Sequence, residues 1–259
     1  MDTWEESDGY DDYMGRWSEP IASEFLDWLD IDPGSRWIDV GCGTGALTAT
    51  IAVHAAPRRI AGIDPSPGFI RAARRRLGDD PDLRVGDAQA LPFQPDSFDA
   101  SVSGLALNFV PDPGSALGEM RRVTEIGGAV AAYVWDYADG MQMIRAFWDA
   151  AVDLDPTIAY LDEATRFPLC RPEPLSHLFE SAGLRDVELT ALEIPTVFHG
   201  FDEYWRPMLG DQGPAPAYVG SLSEHERQRL EARLKEDLPE SGDGTITLTA
   251  RAWAIRGFA

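Results

Sequence analysis

The chain has 259 residues, of which 44% are hydrophobic, so it is long enough to bury a full core in one domain. Its 44 acidic and 22 basic residues leave a net charge of −22, which repels phosphate backbones and anionic membranes and argues against nucleic acid and membrane partners. Two cysteines and four histidines, with no CxxC or HxxxH spacing, predict a metal-free site. The acidic first residues and the lack of long apolar runs favour a cytoplasmic protein.

Strand and helix patterns alternate through the first half of the chain. An amphipathic helix is predicted over residues 18–30, because its apolar residues recur on one helical face. The alternation that follows indicates a parallel sheet with helices on both faces. The predicted strands cover residues 36–40, 59–63, 82–85, 98–103 and 129–134. The predicted helices follow the glycines of 41–45, run over 66–77 from a Ser66 N-cap, and run over 113–124 up to the pair Gly127-Gly128.

The regular alternation stops after residue 135. A strand is predicted over 185–194, and a capping box at Ser223 and Glu226 begins a charged helix. Alternating apolar residues predict a last strand over 245–256. We therefore predict a single domain over residues 1–259, with a core over 18–135, final strands over 185–194 and 245–256, and insertions over 138–182 and 195–240 that form a lid.

Three glycines, Gly41, Gly43 and Gly45, form a turn between the first predicted strand and its helix. Glycine adopts positive φ and lets the backbone approach a ligand closely, and a helix N-terminus favours electron-rich groups. Read as Gly41-x-Gly43-x-x-Ala46, the turn also fits a permissive dinucleotide fingerprint, and a plain tight turn needs no ligand. The loop alone leaves the ligand open.

Asp64 stands directly after the second predicted strand. A carboxylate there can accept both hydroxyl groups of a ribose through charge-assisted hydrogen bonds. The position indicates an adenosine-type ligand, which NAD and S-adenosylmethionine both contain. The alternative is an aspartate that turns the chain into Pro65 and caps the next helix.

Further stretches complete a known pattern. Asp87 and Ala88 follow the third strand, where a carboxylate can accept the adenine amino group. The chain resembles the class I S-adenosylmethionine-dependent methyltransferases over roughly residues 13–135, closest to the branch that includes the quinone-biosynthesis enzymes. The matching stretches, in the family's order and at its spacing, are Ile38-Asp39-Val40-Gly41-Cys42-Gly43-Thr44-Gly45, Gly62-Ile63-Asp64, Gly86-Asp87-Ala88, Phe98-Asp99 and the turn Gly127-Gly128.

The resemblance implies a Rossmann-like, doubly wound sheet of seven strands, mostly parallel with an antiparallel last strand. It implies S-adenosylmethionine as the cofactor. It also implies that Asp39 and the backbone around Gly41 hold the methionine amino group, that Asp64 holds the ribose, and that Asp87 with Ala88 holds the adenine.

Two more positions take expected roles from the resemblance. Arg16 lies in Tyr13-Met14-Gly15-Arg16-Trp17-Ser18, which resembles the N-terminal cover of related enzymes, and it is expected to pair with the cofactor carboxylate. A surface ion pair is the alternative. Asn108 follows the fourth strand, near the family's position for the transferred methyl, and is expected to join the cofactor site; a turn residue at the strand end is the alternative. Its surroundings lack the Asn-Pro-Pro-aromatic motif of methyltransferases that act on the amino groups of DNA bases and glutamine, which argues against those acceptors.

The acceptor is expected to be a small, largely apolar or aromatic molecule. Trp135, Tyr137 and Trp205 are predicted to line its pocket, although such aromatic residues also build ordinary cores and homodimer interfaces. A sulfonium methyl is intrinsically electrophilic, so no covalent nucleophile is required. If the acceptor needs a general base, the candidates are Asp136, which is the best placed, His177 and His199.

Two other functions are compatible with parts of the pattern. An NAD(P)-dependent oxidoreductase would need a Tyr-Lys or His partner for hydride transfer, and Lys235 is the only lysine, so that function fits poorly. A non-catalytic S-adenosylmethionine-binding module on the same fold is the second alternative.

Overall fold

The computed structural model describes residues 15–78, 80–210 and 213–259. Its first half alternates strands and helices as expected, and a loop over residues 86–97 joins the third strand to the fourth. These elements are α1 (Arg16–Leu29), β1 (Arg36–Val40), α2 (Ala46–His54), β2 (Arg59–Asp64), α3 (Pro67–Leu77), β3 (Asp82–Val85), β4 (Phe98–Gly104), α4 (Pro113–Val123) and β5 (Thr124–Trp135).

The second half adds helices and the last two strands. These elements are α5 (Gln142–Leu154), α6 (Glu163–Arg166), α7 (Pro172–Ser181), β6 (Arg185–Phe198), α8 (Phe201–Trp205), α9 (Pro214–Ser221), α10 (Glu224–Asp237) and β7 (Ile246–Phe258). Short 3₁₀ turns cover Leu107–Phe109, Pro156–Leu161 and Arg206–Leu209. Within the described residues, no helix combines the length and apolar character that a membrane span requires.

The seven strands form one sheet in the order β3-β2-β1-β4-β5-β7-β6. The pairs β1–β2, β2–β3, β1–β4 and β4–β5 are parallel, and the last strand is antiparallel to its neighbours. In β1, Trp37, Ile38 and Val40 are at most 2% exposed, as expected for a strand covered on both faces. The predicted fold is therefore confirmed.

The end of α4 differs from the prediction. The helix ends at Val123, and β5 begins at once at Thr124, so Gly127 and Gly128 lie inside a strand and do not stop a helix. The pairing of β5 with β4 shifts register between Phe98 and Ala100, whose partners are Thr124 and Ala129, and the two glycines lie within this irregular stretch of β5. Gly127 has φ +84°, and a Cβ on Gly128 would lie 2.6 Å from a backbone oxygen, so both positions require glycine.

The boundary of β6 also differs. The strand was predicted to end at residue 194 with an insertion from 195, whereas it continues through Pro195 to Phe198. Because β6 is an edge strand, a proline that lacks an N–H need not break its pairing. Strand β7 ends two residues later than predicted, at Phe258.

The chain divides into two compact units, and the predicted single domain stays a prediction. The glycine-loop unit comprises Ser18–Val134, Leu169–Leu192 and Trp253–Ala259. The aromatic unit comprises Trp135–Pro168, Glu193–Ala252 and, of the first segment, residues 15–17.

The aromatic unit has a core of its own. Phe147 and Trp148 of α5 are fully buried and edge-to-face at 5.0 Å, and the Tyr218 ring lies 5.9 Å from Trp148. The Trp148 indole N–H donates to the carboxylate of Glu163, which is only 3% exposed. Helix α10 packs against α5 and begins with the predicted capping box, in which the Ser223 and Glu226 side chains and backbones pair reciprocally.

Candidate functional site

The glycine loop is tied to the end of β2 by backbone hydrogen bonds. The N–H groups of Gly41 and Cys42 both donate to the Ile63 carbonyl, at 2.7 and 3.0 Å. Gly41 has φ +79°, and a Cβ there would lie 2.4 Å from the Ala106 Cβ, so only glycine fits. Gly45 is the N-cap of α2 and provides no side-chain cap, which leaves the positive end of that helix facing the loop.

Asp39, next to the loop, is 1% exposed. Its Oδ2 accepts a 2.7 Å hydrogen bond from the Thr48 hydroxyl, whereas Oδ1 is buried and has no partner among the described residues. Burial raises the pKa of Asp39 to about 7, against the lowering effect of the Thr48 bond. A buried acceptor without a donor is costly unless a ligand supplies one.

Asp64 fastens the loop to the next helix. One carboxylate oxygen accepts from the Gly43 N–H at 2.9 Å and the other from the Ser66 N–H at 2.8 Å. Burial raises the pKa of Asp64, and its charge contributes to the raised pKa of Asp39. Two carboxyl groups at the ends of adjacent strands favour a ligand that brings hydrogen-bond donors or positive charge.

Asp87 and Ala88 follow β3, one strand further along the sheet. Asp87 is exposed and accepts from the backbone N–H of Gln89 at 2.9 Å, which lowers the pKa of Asp87, while Ala88 is buried. The order β3-β2-β1 places Asp87, Asp64 and Asp39 at the ends of three consecutive strands. Ligands of open parallel sheets bind at such strand ends.

Asn108 lies in the 3₁₀ turn after β4. The nitrogen of its side-chain amide is buried and has no partner among the described residues. The sheet order puts β4 next to β1, and the close approach of Ala106 to Gly41 brings this turn against the glycine loop. The structure thus brings together Asp39, Gly41, Gly43, Gly45, Asp64 and the Asn108 turn.

Arg16 belongs to the aromatic unit and has protein partners. Its guanidinium pairs with Glu203 at 2.8 Å, donates to the Val197 carbonyl at 3.1 Å and lies 4.3 Å from the Trp17 ring centroid. A cofactor role for Arg16 stays a prediction. Tyr13 and Met14 of the predicted cover lie outside the described residues.

Asp136, the best-placed candidate base, is 2% exposed. Its Oδ1 accepts from the N–H groups of Ala138 and Asp139, each at 3.2 Å, and its Oδ2 lies 3.3 Å from Arg251. These contacts organise the turn after β5, and a role as general base stays a prediction. The imidazole of His177 lies 3.5 Å from the Ser181 hydroxyl, and the backbone N–H of His199 donates to Glu203.

The three predicted pocket residues are all buried in the aromatic unit. Trp135 is 2% exposed and its indole nitrogen is buried with no hydrogen-bond partner in the described part of the chain. The Tyr137 ring lies 5.7 Å from Phe167, and Trp205 stacks on Phe201 with centroids 6.1 Å apart. Their role toward an acceptor stays a prediction.

Sequence reasoning missed Thr48 and Gly62. Thr48 is a fully buried polar residue on α2, and its placement on the buried face between Leu47 and Ile51 is the only sequence signal for it. A Cβ on Gly62 would lie 2.6 Å from Leu83 and 3.0 Å from the Cys42 sulfur, so this glycine allows the loop to pack against β2. Among the described residues, no group of three or more His, Cys, Asp or Glu side chains is arranged to hold a metal ion.

A doubly wound sheet with a glycine loop after β1 and acidic residues at the carboxyl ends of β1, β2 and β3 defines a domain that binds an adenosine-type cofactor. A family described as a methyltransferase domain matches residues 38–132. A demethylmenaquinone methyltransferase of Roseiflexus castenholzii is 32% identical over 168 residues, covering 59% of this chain and 68% of that protein. The chain belongs to the class I methyltransferase family.

Further comparisons are consistent with this family. A demethylmenaquinone methyltransferase of Symbiobacterium thermophilum is 36% identical over 44% of this chain and 47% of its own length. Matches to four curated relatives span only 39% to 49% of those proteins. The structure of Haemonchus contortus phosphoethanolamine N-methyltransferase 2 in complex with S-adenosyl-L-methionine has a TM-score of 0.56 at 16% identity, covering 92% of this chain and 52% of that one, and shows the shared fold.

Proposed function

We propose that this protein transfers a methyl group from S-adenosylmethionine to a small, largely apolar or aromatic acceptor. The observation that carries the proposal is the buried Oδ1 of Asp39 beside a glycine loop, which has no partner among the residues that the structure describes. The amino group of the methionine moiety is a cationic donor of the kind that this oxygen lacks. The names of the two bacterial relatives, both demethylmenaquinone methyltransferases, support methyl transfer over the oxidoreductase and binding-module alternatives.

The remaining acidic residues suit the other parts of that cofactor. Asp64 would accept the ribose hydroxyl groups with the lone pairs that its two backbone donors leave, and Asp87 with Ala88 would contact the adenine. The backbone of Gly41, Gly43 and Gly45 would lie against the methionine moiety, since no side chain intervenes there.

When bound, S-adenosylmethionine supplies an electrophilic methyl group. The chain's own contribution is to hold the donor in place and to exclude water, because in-line alignment provides much of the rate in such a transfer. A cationic donor next to Asp39 would favour its ionised form and so lower its pKa from about 7. Cofactor binding and the ionisation of Asp39 are therefore coupled.

The acceptor class rests on the aromatic unit and on the relatives. Trp135, Tyr137 and Trp205 are large apolar side chains with polar edges, suited to a flat ring. Relatives are named for demethylmenaquinone and for 2-methyl-6-phytyl-1,4-hydroquinone, which are aromatic or quinonoid molecules with apolar chains. A homodimer and a cytoplasmic location stay predictions from the sequence; light scattering on the purified protein tests the first.

The proposal is tested by calorimetry and thermal unfolding with four ligands. S-adenosylmethionine and S-adenosylhomocysteine should each raise the unfolding temperature, and NAD and NADP should not, because only a ligand that binds the native state stabilises it. Methylation of a panel of phenols and hydroquinones then tests the transfer itself. A shift with NAD and none with the two methionine-derived ligands would reject the proposal.

A further inference from the structure

We propose that Asn108 determines acceptor specificity: its side-chain N–H donates a hydrogen bond to an oxygen of the acceptor. The acceptor class is then a ring that carries a hydroxyl or carbonyl oxygen, such as a phenol or hydroquinone. This inference rests on the proposed function and deepens it. It begins from the buried amide nitrogen of Asn108, which has no partner in the described part of the chain.

The sheet order indicates which ligand lies nearest Asn108. Asp87, Asp64 and Asp39 lie at the carboxyl ends of β3, β2 and β1, so the proposed cofactor would extend across these strand ends from adenine to methionine. The next strand in the sheet is β4. The chain turns after β4 at Leu105, and Asn108 lies three residues further along. Asn108 therefore stands beyond the methionine end of the cofactor, on the side away from the adenine.

The turn that carries Asn108 is held by backbone hydrogen bonds and lies close to the glycine loop. The contact of Ala106 with Gly41 fixes its distance from the loop. Leu105 adopts φ +56°, which is unfavourable for a side chain of its kind, and its N–H donates to the Tyr133 carbonyl at 2.8 Å. The Phe109 N–H donates to Ala106 at 3.0 Å, which closes the turn. Backbone strain held by such contacts is typical of ligand sites.

The chemistry of the amide selects the class of acceptor. A neutral N–H donor needs a lone pair, which a phenol, hydroquinone or carbonyl oxygen offers and a hydrocarbon or ammonium group does not. Leaving a buried donor unpaired is costly, so a site with this amide discriminates against acceptors that offer no lone pair, and a ring hydroxyl or carbonyl oxygen is the lone pair that we propose. The donor would also stabilise negative charge on a phenolic oxygen as its proton leaves.

Asn108 is the only asparagine in the sequence, so its environment can be observed directly. Protein prepared with ¹⁵N-asparagine shows a single side-chain amide pair in a nitrogen-correlated NMR spectrum. We expect this pair to move little when S-adenosylhomocysteine is added, and to move downfield when 2-methyl-1,4-hydroquinone is then added under reducing conditions. The matched control, p-xylene, has a similar ring without oxygen and should leave the pair in place.

Substitutions give a second readout. In Asn108→Ala and Asn108→Asp, the Kd for 2-methyl-1,4-hydroquinone should rise about fivefold, the contribution of one neutral hydrogen bond, while the Kd for S-adenosylhomocysteine changes less than twofold. Retained cofactor affinity also shows that the variants are folded.

Three outcomes would overturn the inference. The amide pair could respond fully to S-adenosylhomocysteine alone, which would make Asn108 a cofactor contact. It could respond equally to p-xylene, or fail to respond to the hydroquinone at the highest concentration used, which would leave Asn108 as a turn residue. Failure of S-adenosylhomocysteine to bind the unsubstituted protein is a separate result, and it would reject the proposed function instead.

Discussion

Each of the two units contains one buried carboxyl group whose pKa rises to about 7, and these two groups differ in one respect. Asp39 of the glycine-loop unit and Glu163 of the aromatic unit are 1% and 3% exposed, and burial raises the pKa of each to about 7. Each accepts a hydrogen bond from one neutral side chain, Thr48 or Trp148. Of these two groups, only Asp39 lies beside a glycine loop, and its buried Oδ1 has no hydrogen-bond partner among the described residues. Burial and a raised pKa alone therefore do not mark a ligand site.

The largest effect is expected for Asp39→Asn without ligand. The pKa of Asp39 in the folded protein, about 7, lies above the ordinary value of 3.8. The contribution of this carboxyl group to the free energy of unfolding is therefore fully present below about pH 4 and is lost as the pH rises through 7. The total loss is about 4 kcal/mol, which a neutral asparagine avoids. Urea unfolding at pH 4 and pH 8 should show the variant gaining stability only at the higher pH.

Adding S-adenosylhomocysteine tests whether the effect of Asp39→Asn is linked to the cofactor. S-adenosylhomocysteine should stabilise the unsubstituted protein and reduce its pH dependence, but should stabilise Asp39→Asn much less, because the charged partner of the amino group is gone. Equal stabilisation of both proteins would contradict the assignment of Asp39 to the cofactor.

The next largest effect is expected for Glu163→Gln. The folded pKa of about 7 again exceeds the ordinary value of 4.5, so stability declines between about pH 4.5 and 7 by about 3 kcal/mol in total. Glutamine keeps an acceptor for the Trp148 N–H and should remove that decline. In contrast to Asp39, the gain should be the same with and without S-adenosylhomocysteine, as unfolding curves can measure. A gain that depends on the ligand would mean that Glu163 is coupled to cofactor binding, which would contradict the difference drawn between Glu163 and Asp39.

A third prediction separates backbone conformation from close packing in the glycine-loop unit. Gly41→Ala and its matched control Gly34→Ala both place a side chain at positive φ, +79° and +83°. At Gly34 a Cβ meets nothing within 4 Å, whereas at Gly41 it lies 2.4 Å from Ala106. Gly41→Ala should therefore be less stable than the control by about 1–3 kcal/mol, and chemical unfolding measures the difference. Equal stabilities would mean that the loop relaxes freely.

The smallest of these effects is expected for Asp64→Ala, which should weaken S-adenosylhomocysteine binding at least about tenfold, or about 1.4 kcal/mol, through the lost charge-assisted contacts. Calorimetry measures the affinity and circular dichroism the fold. Asp82→Ala, in which the lost carboxylate pairs with Arg59 and Arg84, is the control and should bind normally. Unchanged affinity in Asp64→Ala would mean that the ribose is held elsewhere.

Much of the architecture was predictable because its signals are local. Strands β1 and β3 have the predicted bounds, and the Ser66 and Ser223 caps lie where their sequence patterns placed them. Asp64 and Asp87 were found for the same reason, since a strand end followed by a loop is visible in the hydrophobic pattern, whereas Asp39 was assigned only through the family resemblance.

The sequence by itself thus determined which segments of the first half form strands, where the glycine loop lies and which family the chain resembles. Only the tertiary structure decided which of these groups are in contact. Thr48 pairs with one oxygen of Asp39, and the other has no partner among the described residues. Ala106 leaves room only for glycine at position 41, and Gly127 and Gly128 lie in the stretch of β5 where its pairing with β4 shifts register. It also decided that Glu163, a charged residue in a short helix, is buried against Trp148. The reason is physical: the secondary structure of a segment depends largely on its neighbours in sequence, whereas burial and hydrogen-bond partners depend on residues that only folding brings together.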